Sequence, residues 1–320
     1  MAELTDVSKR FGTKVVLDGI DLKIEPATHL GIFGENGAGK TSLARLLAGL
    51  EKPTRGRLSL EDLGRPVLVQ QDFVVWPHLS VRENVSIACG GKRRGDRNWV
   101  NQWLERFDLL PMAPLPGGHL SYGQQQRLSL ARAFASGASF FIFDEVFSGL
   151  DAISHLPLLL QVKACLREQN ATSIWISHDW SEISMMCGRV AVLGNGKVLQ
   201  SGTPETVYQH PVSIEVARMT GPVNILSPAE WALLSRWIPS AMNPSIASGE
   251  TLLIRPENVS LRPGSAVGRV FLESEWFLAP GFLQLVRFDN GLSLQIFSAN
   301  AWPGWDEASI ELKKPPCVLS

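Results

Sequence analysis

The chain has 320 residues, enough for about two domains of roughly 150 residues each and for a sizeable hydrophobic core. Lys and Arg number 30 against 31 Asp and Glu, a formal net charge of −1, so no strong basic field draws the chain to nucleic acid. No stretch approaches the ~18–20 apolar residues needed to cross a bilayer, and Met1 to Asp6 lacks the basic-then-apolar pattern of a signal peptide. Cys89, Cys165, Cys187 and Cys317 form no Cys-x-x-Cys pair, which fits reduced thiols in a cytosolic protein.

Residues 1 to about 30 read as strands, with a turn signal at Asp18-Gly19 and apolar/polar alternation from Ile20 to Ile24. The short apolar strand His29–Phe33 runs into Gly34, Glu35, Asn36, Gly37, Ala38, Gly39, Lys40 and Thr41. Helical spacing then extends from Ser42 to Leu50 and stops before Pro53. The loop fits G-x-x-x-x-G-K-[ST] in its proper context, strand before and helix after. Its glycines let successive N–H groups point inward as an anion nest at a helix N-terminus. Lys40 supplies a cation for the β- and γ-phosphates, and the Thr41 hydroxyl is a candidate Mg²⁺ ligand.

Val67 to Val69 is a further buried-strand candidate, and the pattern from about Asp72 to Gly137 is mainly helical, with Trp99, Val100, Trp103, Leu104 and Phe107 on one face. The basic run Lys92 to Arg97 reads as a solvated loop. In Leu120-Ser121-Tyr122-Gly123-Gln124, Ser121 and Gln124 have capping-box spacing and mark a helix start, whether or not a ligand sits there. Phe140 to Phe143 is an apolar strand ending in Asp144-Glu145. That carboxylate pair is either favourable charge at a helix N-terminus or, beside a phosphate loop, a Mg²⁺ ligand (Asp144) and a water-orienting base (Glu145). Thr172 to Ile176 is a strand, and Val190 to Leu193 with Lys197 to Gln200 forms a hairpin about Gly194-Asn195-Gly196. Beyond Gly221-Pro222, short apolar runs between Pro and Gly predict a small all-β module. Trp231, Trp237, Trp276, Trp302 and Trp305 fall there, with core packing as the first expectation and ligand stacking as the alternative.

Over residues 1 to about 220 these motifs resemble the ATPase subunits of ATP-binding-cassette (ABC) transporters. The phosphate loop matches the Walker A motif, Phe140 to Glu145 matches Walker B, and Leu120 to Gln124 matches the signature motif, with Tyr122 where the family has glycine. Gln71 sits at the Q-loop position, Ser148-Gly149-Leu150-Asp151 looks like the D-loop, and His178 looks like the switch histidine. Phe11 falls where the family stacks an aromatic ring on adenine. Residue 146 is Val where the family usually has proline.

The resemblance implies an α/β P-loop NTPase over residues 1–221, with a helical subdomain over about 72–137. Residues 222–320 resemble a TOBE-type β domain, through Tyr208 to Pro211, Gly221 to Asn224 and Ile254 to Val259. ATP and Mg²⁺ are the implied cofactors. Glu145, His178 and Gln71 are the catalytic candidates, and Thr41, Gln71 and Asp144 the metal candidates. Phe11, Gly34 to Ser42, Ser121, Gly123, Gln124 and Asp151 would bind nucleotide, the signature residues acting on ATP held by a second copy. The implied protein is a peripheral subunit on the cytoplasmic face of the inner membrane. It would work with a permease and a solute-binding protein, not with nucleic acid, in an importer of the iron, polyamine or sugar group. A ligand-sensing cassette of weak catalytic power and a non-transport ABC ATPase are the competing readings.

Overall fold

The computed structural model describes residues 1–61, 63–72, 74–148, 152–238, 242, 244, 247, 249–263, 269–302 and 308–319. They form two compact units, Met1–Pro204 and Glu205–Ser320.

The first unit carries two sheets. In one, β1 (Ala2–Phe11) lies between β2 (Lys14–Ile24) and β4 (Arg55–Ser59), all antiparallel. The expected turn at Asp18-Gly19 lies inside β2. The chain reverses instead between Phe11 and Lys14, where Gly12 has φ +59°. Gly19, at φ +62°, marks a register shift, and its N–H bonds the Ser8 hydroxyl at 3.0 Å. A glycine inside a strand supplies a bulge as readily as a turn, and neighbouring hydrogen bonds decide which.

The second sheet has the order β5-β6-β7-β3-β8-β9. Its strands are β3 (His29–Phe33), β5 (Val67–Gln70), β6 (Phe140–Asp144), β7 (Thr172–Ser177), β8 (Arg189–Gly194) and β9 (Lys197–Gly202). All pairings are parallel except the β8–β9 hairpin, which turns through Asn195 (φ 49°) and Gly196 (φ 76°). Strands β6 and β7 are buried along their whole length, as parallel strands covered on both faces must be. Register sets Gln70, Asp144, Ile176 and Ile32 in one row, so the loops after four strands leave the same edge of the sheet.

Helix α1 (Lys40–Leu47) follows the phosphate loop. The helical region contributes α2 (Val81–Ala88), α3 (Arg97–Arg106) and α4 (Tyr122–Ala135), with capping boxes on α2 and α4. A run of aromatic rings joins these helices to the sheet. Trp103 stacks on Phe134 at 5.4 Å, Phe134 meets Phe141 at 4.9 Å, and Phe143 meets Trp175 at 4.6 Å. Two helices not singled out in the sequence complete the unit, α5 (Ala152–Glu168) and α6 (Trp180–Met186). Pro157 lies inside α5 and hides it from a reading that ends helices at proline.

In the second unit, α7 (Pro204–Gln209) and α8 (Ile214–Thr220) precede the β module. Strands β10 (Asn224–Leu226), β11 (Thr251–Ile254) and β17 (Cys317–Leu319) form one sheet, with α9 (Pro228–Leu234) following β10. β12 (Val259–Pro263) pairs with β16 (Ala308–Leu312), and β13 (Val270–Leu278), β14 (Gly281–Phe288) and β15 (Ser293–Ser298) form a meander. Trp231 is core, and Trp302 packs against the core half-buried. Trp276, expected inside, is 48% exposed beside exposed Phe277 and Leu278 near the tip of the β13–β14 hairpin. Trp305 and the Trp237 side chain lie outside the described residues.

The boundary between the units falls earlier than the expected 221 because of Arg255. Its guanidinium, 5% exposed, bonds the carbonyls of Tyr208, Ala217, Gly221 and Pro222 and the Thr220 hydroxyl, and lies 3.9 Å from the centre of the Tyr208 ring. One fork of donors thus fixes α7 and α8 to the β module. Replacing Arg255 with Met would orphan these carbonyls and is expected to cost about 3 kcal/mol or more in denaturant unfolding of the second unit, with Arg255→Lys restoring only part of it.

Candidate functional site

The edge of the sheet at which β3, β5, β6 and β7 end collects the candidate residues. After β3 the chain curls through Gly37 (φ 85°) and Gly39 (φ 102°) into α1. A Cβ on Gly34 would stand 2.4 Å from the Leu193 carbonyl oxygen, and one on Gly39 would stand 2.8 Å from that of Val16. Both close approaches require glycine, whereas Gly37 faces open space and needs glycine for its φ alone.

Lys40 begins α1 and is 5% exposed. Its ammonium donates to Gly34 O (2.8 Å) and Glu35 O (3.1 Å) and pairs with Glu145 Oε1 at 3.3 Å. The other Glu145 oxygen lies 3.4 Å from His178 Nδ1, just beyond β7. Glu145 adopts φ 52°, a left-handed conformation rare for its type, held by its N–H bonding Ile176 O at 2.9 Å. The chain thereby leaves the line of β6 at the residue whose carboxylate meets Lys40 and His178.

Asp144 is 6% exposed, and its Oδ1 is buried without a hydrogen-bond partner. Burial and then the Glu145 charge push its carboxyl above the usual range, while a hydrogen bond from Thr41 and the charges of Lys40 and Arg45 pull it back. A buried carboxylate with a free oxygen beside a hydroxyl fits a divalent cation, which would supply the missing positive charge. Gln71 is exposed one residue after β5, and the pairing of Gln70 with Asp144 sets it at the same edge.

Ser121 caps α4: its hydroxyl accepts from Gln124 N, and Gln124 Oε1 accepts from Ser121 N at 2.9 Å. A Cβ on Gly123 would meet nothing within 4 Å, so this helix start is open. Phe11 ends β1, 48% exposed, with Lys9 Nζ 4.9 Å from its ring centre. Asp151, Gly149 and Leu150 lie outside the described residues. The contacts therefore bring together Lys40, Thr41, Asp144, Glu145 and His178. Register adds Gln71, and the signature residues form a separate helix end.

Gln126 was not foreseen. It is fully buried, and its Nε2 donates to Val146 O at 2.5 Å, joining α4 to the turn after Glu145. Its signal was a polar residue one turn into an otherwise apolar helix face.

Known proteins resemble this chain over most of its length. A family model described as ABC transporter matches residues 17–148. The Fe(3+) ions import ATP-binding protein FbpC of Photorhabdus laumondii is 32% identical, covering 94% of this chain and 91% of that one. The spermidine/putrescine import ATP-binding protein PotA of Nitratidesulfovibrio vulgaris is 33% identical, covering 83% of this chain and 74% of that one. A solved ATP-binding cassette, dimeric in a post-hydrolysis state with ADP and Pi, superposes with a TM-score of 0.56 at 25% identity, over 64% of this chain and 99% of that one.

Gly34→Ala drives a Cβ into backbone and is expected to destabilise the first unit by about 1–3 kcal/mol or more. Gly37→Ala meets only the penalty of its φ, about 1–2 kcal/mol. Denaturant unfolding of the two variants side by side checks the order.

Proposed function

The chain belongs to the ABC transporter family as one of its ATP-binding, ATP-hydrolysing subunits, and on that premise we propose that two copies clamp ATP between them and drive import through a separate membrane permease. The observation that carries this reading is the cluster of Lys40, Glu145 and His178 over the phosphate loop.

In this reading the inward N–H groups of residues 34–42 and the Lys40 ammonium hold the phosphates. Glu145 orients the attacking water and accepts its proton. His178, which shares the Glu145 carboxylate, contacts the γ-phosphate, and Phe11 stacks on adenine. Thr41, Asp144 and Gln71 would hold Mg²⁺, whose charge would offset that of the phosphates.

The second copy supplies Ser121, Gly123 and Gln124. In support, Ser121 and Gln124 satisfy each other as a cap, which leaves the helix dipole and the open Gly123 surface to face an incoming phosphate.

The segment from Gln71 to Val85 would meet the permease. Buried Asn84 shapes it, accepting from Trp76 N and donating to the carbonyls of Trp76, Leu79 and Ser80. Beside it, a cavity of about 250 Å³ opens between β5, α2 and α4, with Val74 64% exposed at its rim. Among the described residues no helix is long and apolar enough to cross a membrane, and the proposed place is peripheral, on the inner membrane beside the permease. The second unit reads as a TOBE-type module. Import subunits for ferric iron and for spermidine/putrescine both align over most of this chain, so the proposed solute is of the iron or polyamine group, and a solute-binding protein would deliver it.

Two variants test the scheme. Glu145→Gln is expected to lower phosphate release by about 100-fold or more while ATP binding survives; unchanged release would sink the reading. Gly123→Asp places a carboxylate at a helix N-terminus, where the dipole favours it, so melting of the isolated chain should hold or rise slightly. ATPase activity should nevertheless collapse, because the same charge would face the other copy's phosphate.

A further inference from the structure

We propose that Tyr122 is a positioning residue for hydrolysis, its hydroxyl tying the start of α4 to the turn that carries Glu145. The inference rests on the ATPase reading above and assigns a task to a residue which that reading leaves unused.

Two side chains on one face of α4, four residues apart, reach the same turn. Gln126 Nε2 donates to Val146 O at 2.5 Å, and Tyr122 Oη donates to Ser148 O at 3.5 Å, the long end of hydrogen bonding. The turn is closed from within. Ser148 Oγ donates to Glu145 O at 2.8 Å, and Ser148 N donates to the same oxygen at 3.4 Å. Val146 and Phe147 are 1% and 3% exposed and are fixed by packing, with Phe147 stacked on Trp175 at 5.4 Å. The exposed side of the turn is held at Ser148. From Tyr122 a continuous path therefore leads through Ser148 to the backbone of Glu145, whose carboxylate meets Lys40 and His178.

Location gives the path its use. Tyr122 stands between Ser121 and Gly123, which face the ATP held by the other copy, whereas Glu145 serves the ATP held by its own. A small movement of the helix start as it closes on phosphate is carried by the tyrosine hydroxyl to the carboxylate of the same chain. The two sites are thereby linked through a contact inside one subunit. Gln126, wholly buried, is the fixed end of this strap. Tyr122, 50% exposed, is the end that can shift or be removed without opening the core.

The test compares parent, Tyr122→Phe and Tyr122→Gly as full-length chains, by steady-state ATPase kinetics and thermal melting. Loss of the hydroxyl is the common element, so both variants are expected to lose about threefold to tenfold in kcat, the worth of one net hydrogen bond. KM for ATP should stay within about twofold, and melting should fall by no more than about 2–4 °C. A Phe variant equal to the parent would overturn the proposal. That outcome with a changed Gly variant would assign the effect to the ring, and with an unchanged Gly variant to nothing at this position. A change confined to KM would also overturn it, by marking a binding contact. A parent whose turnover is insensitive to Glu145→Gln would instead bring down the ATPase reading and the inference with it.

Discussion

The first unit is organised around an almost buried ammonium. A lysine head group taken out of water costs several kcal/mol unless acceptors surround it. Lys40 finds two in the carbonyls of Gly34 and Glu35 and a third in Glu145, so loop and β6 must end within reach of one atom. The loop can curl that tightly because positions 34 and 39 lack a Cβ that would strike the carbonyls of Leu193 and Val16. Leu193 belongs to the parallel sheet and Val16 to the antiparallel one, so the spacing of both sheets is matched to the loop. In the proposed scheme the cradle for phosphate is the same arrangement that solves the burial of Lys40.

The two compact units meet their polar demands differently. In the first, aromatic stacking fixes helices α3 and α4 against β6, and a buried ammonium at the strand ends meets two carbonyls and a carboxylate. In the second, a single arginine gathers the loose carbonyls of two short helices and their following turn. Burial pulls the Arg255 pKa down from its ordinary value, yet a guanidinium stays charged throughout the accessible range, so its grip does not titrate.

Much of this was legible in the sequence where local chemistry and tertiary demand coincide. The glycine loop, the apolar run of β6 and the capping box at Ser121 each carry their own geometric requirement, and each forms where its residues predict. Asp18-Gly19 misled because a positive φ serves a bulge as well as a turn, and only pairing with β1 distinguishes them. Helix α5 was hidden by Pro157, since packing can retain a helix that local propensity would end. Gln126 and Arg255 act on carbonyls distant in sequence, and a carbonyl leaves no mark in the amino-acid code. The Trp276 exposure belongs with these: its β13 neighbours alternate little, so the pattern named no inner face.

Glu145 and the start of α4 are held in opposite ways. Its left-handed backbone costs on the order of 1–3 kcal/mol and persists because the bond to Ile176, the turn closed by Ser148 and the Lys40 pair all require it. Strain is thus stored at the residue whose carboxylate meets Lys40 and His178. The start of α4, by contrast, is relaxed: its cap is complete, Tyr122 and Gly123 occupy ordinary backbone, and a Cβ on Gly123 would meet nothing within 4 Å. In the proposed scheme a strained base beside a cation and an unstrained helix end that receives phosphate are complementary halves of one site. Within a single chain they are joined through Tyr122, Gln126 and the turn after Glu145, so in that scheme closing one half on a neighbour's phosphate would act on the geometry of the other.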